Sequence, residues 1–131
     1  MSYIEAFAAS NNGYPAAFVA VRAALDTVLT ATITPPGPGC TLVLCGVDAS
    51  VAVTGVSWDA WITFNPGGGK NAFASGIIAT SPDPYEVGTW RGFFPFAQPS
   101  TIELGVECFA PADLAINAWG LWLPTPLVFT P

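Results

Sequence analysis

Thr101-Ile102-Glu103-Leu104-Gly105-Val106-Glu107-Cys108-Phe109 decides the fold class. In an extended chain Ile102, Leu104, Val106 and Cys108 share one face, and Glu103, Gly105 and Glu107 share the other. Successive side chains of a strand point to opposite sides of the sheet, so this alternation predicts a half-buried antiparallel strand. The same period runs through 27–34 (Thr-Val-Leu-Thr-Ala-Thr-Ile-Thr) and 41–47 (Thr-Leu-Val-Leu-Cys-Gly-Val), with Pro35-Pro36-Gly37-Pro38-Gly39 as the turn between them. Further strands are expected at 51–58, 60–64, 74–80, 89–96 and 114–123. Breakers punctuate them at Asp48-Ala49-Ser50, Asn65-Pro66-Gly67-Gly68-Gly69, Ser81-Pro82-Asp83-Pro84, Gln98-Pro99-Ser100 and Pro111-Ala112-Asp113. Short strands at near-regular spacing with turn signals between them predict an antiparallel β-sandwich, jelly-roll-like, with extended N- and C-terminal arms.

Residues 15–29 offer a helical alternative. Pro15 suits a first helical position, Arg22 and Asp26 are four apart, and Phe18, Val21, Leu25 and Val28 would form a stripe. The β-branched residues of its second half and the alternation from Thr27 onward favour strands at about 16–22 and 25–34. The 131 residues are expected to form one domain, with an arm over 1–13 and a Pro-fixed tail over 124–131.

Charge is scarce. Nine carboxylates, three cations and no histidine leave 9% of the residues charged and a net charge of −6, while 52% are hydrophobic. An average soluble domain is about a quarter charged. Either Ser, Thr, Gly and Pro make the surface, or other protein covers it. Three scattered cations (Arg22, Lys70, Arg91) cannot neutralise a phosphate backbone, so no nucleic-acid partner is expected. The uncharged runs 27–47 and 114–131 are broken by prolines, so no membrane span is expected. Met1-Ser2-Tyr3-Ile4-Glu5 lacks a basic n-region, which points to synthesis in the cytoplasm without a secretion signal.

The sequence offers little for catalysis. Without histidine, Ser-His and Cys-His nucleophiles are excluded. Glu103 and Glu107 lie roughly 13 Å apart along a strand, wider than glycosidase pairs. Gly67-Gly68-Gly69-Lys70 is followed by Asn71 instead of Ser or Thr, so it reads as a hairpin tip and not a phosphate loop. Asp83 and Glu86 with backbone carbonyls would make only a weak calcium site, and a turn-capping Asp is the favoured reading. Cys40, Cys45 and Cys108 are one short of a zinc set and read as small buried apolar residues, with a Cys45–Cys108 bridge left open. No enzyme activity, metal or cofactor is expected.

Aromatic residues carry the stronger signal. Trp58 and Trp61 flank Asp59, and Trp90, Phe93, Phe94 and Phe96 crowd Arg91. In 114–123, Leu114, Ile116 and Trp122 face one way, while Trp119, Leu121 and Leu123 face the other. One face belongs to the core. The second apolar set needs cover, either from a partner or from the chain's own loops and N-terminal arm. The tail adds Leu127, Val128 and Phe129 on an extended segment suited to docking on a neighbour, and the segment up to Gly13 can do the same.

Gly39-Cys40-Thr41-Leu42-Val43-Leu44 followed by Ser50-Val51-Ala52-Val53-Thr54-Gly55-Val56-Ser57-Trp58 resembles a pair of strands found in β-sandwich modules of phage virions and bacterial surfaces. The close of the chain, 101–123, is similar to the last two strands of jelly-roll modules, carbohydrate-binding ones included. The resemblance implies a virion decoration, minor capsid, spike or tail role and carries over no site residue. The combined expectation is a structural protein of a bacteriophage virion that binds and reinforces a symmetric shell. Its partners would be a major shell protein and copies of itself, a trimer among the candidates. The interface residues would be Trp119, Leu121, Leu123, Leu127 and Phe129, then Trp58 and Trp61. The alternative is a carbohydrate-binding module in which Trp58, Trp61 or Trp90 stack on sugar rings beside Asp59 or Arg91.

Overall fold

The computed structural model describes residues 3–10, 12–52, 57–64, 69–77 and 85–124. A helix, α1 (Tyr3–Ser10), precedes six strands: β1 (Tyr14–Ile33), β2 (Cys40–Ala52), β3 (Ser57–Thr63), β4 (Asn71–Ile77), β5 (Tyr85–Ala97) and β6 (Ile102–Pro124). Every pairing is antiparallel. The 101–109 alternation is the first half of β6, which at 23 residues is the longest strand.

β1 and β6 each run through a corner and serve two layers. The first half of β1 (14–23) pairs with the second half of β6 (114–122), and its second half (28–33) pairs with the first half of β6 (102–107). One layer is therefore β5–β2–β6–β1 and the other β4–β3–β6–β1. Counting the halves of β1 and β6 separately gives eight strand segments in two four-stranded layers. The first layer takes segments one, eight, three and six, and the second takes two, seven, four and five. That order is the double Greek key of a jelly roll. The all-β expectation therefore holds, and strands occupy 15–29 where a helix was the alternative.

Between the layers lies a core of Leu42, Leu44, Val47, Ala49 and Val51 from β2, Trp58, Ala60 and Ile62 from β3, and alternate residues of β6 from Ile102 to Ala118. In β2 the inward positions change parity, from 42 and 44 to 47, 49 and 51. A bulge at Cys45 does this: Leu44 pairs with Gly120 and Gly46 with Trp119, leaving Cys45 as the extra residue. Asp48-Ala49-Ser50 is accordingly strand and not a break, and the expected break between 51–58 and 60–64 is absent, because β3 runs unbroken over Ser57–Thr63.

The N-terminal arm is helical rather than extended. Ile4 and Ala8, one helical turn apart, pack on Val43, Cys45, Leu121 and Leu123, a second apolar cluster on the outer face of the first layer. Asn12 takes a left-handed conformation (φ 54°), and the Gly13 N–H donates to the Ala8 carbonyl at 2.7 Å, closing the helix. The outward apolar set of 114–123 is thus covered largely by the chain itself. Ala8→Asp puts a carboxylate against Val43 and Leu123 and is expected to undock α1. The expected cost is about 2–3 kcal/mol in urea denaturation, with new proteolytic cleavage within 3–12.

Candidate interaction surface

Tryptophan–glycine contacts shape both outer faces. On the first layer Trp119 lies across Gly46, its cross-strand partner, where any side chain would strike the indole. Above it sits Arg91, with its guanidinium carbon 5.5 Å from the ring centre and Nη1 2.9 Å from Asp48 Oδ1. Trp119 remains 40% exposed, so this is an open aromatic shelf with one ion pair at its edge. On the second layer Trp61 lies over Gly105 in the same manner, with Lys70 Nζ 4.1 Å above its ring centre. Here the indole is 3% exposed. Trp58 is turned inward beside Gly88, on the opposite side of β3 from Trp61.

Of the expected interface residues, Trp119 alone among those described presents a large exposed surface. Trp58, Trp61, Leu121 and Leu123 are buried within the chain, so their placement in a partner interface is corrected. Trp58 belongs to the core, Trp61 fills the slot made by Gly105, and α1 covers the two leucines. Leu127 and Phe129 lie outside the described residues, as do Asp83 and the Gly67-Gly68 tip. Burying Trp58 and Trp61 leaves the half-buried Trp90 as the remaining indole of the three on which the carbohydrate-binding alternative rested. Trp90 packs its ring on Phe64, 6.1 Å between centres.

Other exposed apolar residues are less obvious from sequence. Tyr14 and Trp122, cross-strand partners, form a tilted pair 5.2 Å apart beside a groove of about 470 Å³ walled by Pro36, Cys40 and Pro124. At the corner where β1 and β6 pass between layers, Leu25 is 75% and Phe109 81% exposed, with Val28 nearby. The parity of 101–109 already puts Phe109 on the face of Glu103 and Glu107. Leu25 had no such signal, because its strand breaks register there.

The cysteines are unbridged. Cys45 lies under α1 and Cys108 in the main core, on opposite sides of the sheet. Burial pushes the thiols of Cys40 and Cys45 up, with a hydrogen bond involving Trp122 partly offsetting this at Cys40. A protonated buried thiol is a poor nucleophile, consistent with a packing role.

No protein-family model and no curated protein matches the sequence. Solved structures share the jelly-roll fold at low sequence identity. The chain is similar to the cryo-EM structure of broad bean stain virus, with a TM-score of 0.52, 9% identity, and coverage of 90% of this chain and 92% of that one. Infectious bursal disease virus (Gt strain) gives 0.44 at 13% identity over 85% of this chain. This chain spans 31% of that protein's length. The Drosophila NLP core, described for pentamer formation and histone binding, gives 0.43 at 10% identity over 81% of this chain and 98% of that one. The viral structures are not from phages.

Proposed function

We propose that the chain is a structural subunit of a virion, a decoration or minor capsid protein that binds a symmetric shell and strengthens it by burying apolar surface. The observation that carries this reading is the surface itself. Leu25, Phe109, Trp119, Trp122 and Tyr14 are exposed on a jelly roll that has only 9% charged residues. Large exposed apolar residues on a charge-poor surface fit contact with other protein, and each Å² they bury contributes roughly 25 cal/mol. The jelly roll shared with a plant-virus particle supports a virion setting. The expected mechanism is mechanical. The Trp119 shelf and the Tyr14–Trp122 pair act as anchors, with Leu127 and Phe129 of the tail docking on a neighbour.

The test is sedimentation of the purified chain with shells of its source particle. Co-sedimentation at fixed stoichiometry that weakens on Trp119→Ala supports the reading. A chain that stays at the top of the gradient at every concentration overturns it.

A further inference from the structure

Leu25 combines two unfavourable features. Its side chain is 75% exposed, and its backbone is left-handed at φ 51°, a region that residues with a Cβ avoid. A glycine there would relieve the backbone, and a polar residue would suit the solvent better. The geometry is held from the other strand, where Asp113 Oδ1 accepts the Leu25 N–H at 3.2 Å. Asp113 also lines a hollow of about 350 Å³ on the outer face of the first layer, together with Ala23, Ala24, Ala52, Leu114 and Ala115 and the polar Arg22 and Ser50. A protruding leucine thus stands next to a hollow lined in part by alanines.

Charge follows the same pattern. Arg22 and Asp26 are the only charged residues of β1 and stand on either side of Ala24 and Leu25. Among the described residues neither has an ion-pair partner, and the Asp26 carboxylate accepts only the Thr27 N–H, at 2.7 Å. Among the described residues β1 pairs with β6 alone.

We infer that the β1 corner is a self-complementary interface that takes a second copy of this chain across a two-fold axis near Ala24. The Leu25 side chain of each copy fills the alanine hollow of the other. Arg22 of each meets Asp26 of the other, as an isologous contact requires. The knob, both charges and the β1 part of the hole (Ala23, Ala24) lie on one short segment, so a two-fold axis through it sets each charge against its opposite. The interface deepens the assembly reading above and rests on it.

The test is a charge exchange followed by sedimentation equilibrium. Arg22→Asp leaves only acidic groups at the two charge positions, and Asp26→Arg leaves only basic ones. Each variant alone is expected to self-associate at least tenfold more weakly than the wild type. An equimolar mixture is expected to recover the two-copy species, because each contact then pairs Asp with Arg. Leu25→Gly, which suits φ 51°, is expected to leave the monomer's melting temperature near wild type while weakening the two-copy species at least tenfold. Circular dichroism that matches wild type confirms that the variants are folded. Single variants that associate as tightly as wild type, or a mixture no tighter than its components, overturn the interface. If the wild type is still oligomeric in that case, the assembly reading stands without this contact. A wild type that is monomeric and fails to bind shells overturns both.

Discussion

Gly120→Ala is expected to lower stability by about 3 kcal/mol, at the upper end for overpacking in a filled interior. Gly120 lies in β6 between Ala16 of β1 and Leu44 of β2, with strands hydrogen-bonded on both sides. A Cβ there meets the carbonyl oxygen and carbon of Val43 and approaches the Phe18 ring. The Val43 atoms are backbone atoms of a buried strand, so no rotamer change relieves the clash. The β2–β6 ladder itself must shift, next to the Cys45 bulge that sets the parity of β2. A fall in melting temperature on the order of 10 °C follows for a domain of this size. Gly37→Ala is the control, because a Cβ at Gly37 meets nothing within 4 Å. Equal melting of the two variants would contradict the β2–β6 register.

Trp61→Ala is expected to cost about 3–5 kcal/mol, the range for removing a buried tryptophan. The indole is 3% exposed, lies flat over Gly105 and carries Lys70 above it, so its loss leaves a trough across the second layer. Trp119→Ala removes the corresponding ring from the other layer, where 40% exposure means that water already reaches it. The expected loss is about 1 kcal/mol, the worth of an exposed cation–π contact plus partial burial. Chemical denaturation of the two variants side by side measures the difference. Equal losses would mean that Trp61 is not enclosed as described.

The two tryptophans show where sequence reading succeeds and where it stops. Period-two alternation at 101–109 identified the first half of β6 and which of its faces is inward, because the pleat ties parity to side, while the break expected at Pro111-Ala112-Asp113 is strand instead. The same parity puts Phe109 outward, but it did not place Trp58, expected at the surface and found in the core. Parity gives the side of a sheet and not what lies on top of it, so Trp61 and Trp119 both stood among the expected surface anchors, Trp119 ahead of Trp61. Their fates depend on neighbours outside their own strands: Lys70 above one, an open shelf with Arg91 above the other.

Leu121 and Leu123 raised the same question, and the answer came from Ile4 and Ala8, more than a hundred positions away in the chain. A bulge is still harder to read. Cys45 interrupts alternation with an ordinary small residue, and only the pairing of Leu44 and Gly46 with successive residues of β6 exposes it. The Leu25 corner lies in such a register break too, which hid its protruding side chain.

The most direct test of an assembly role is the native mass of particles carrying this chain, measured on the purified protein and on the source lysate by sedimentation. The account predicts a discrete multiple of 13.6 kDa for the purified chain and co-migration with a much larger shell in the lysate. A 13.6 kDa species in both samples, unchanged with concentration, would contradict it.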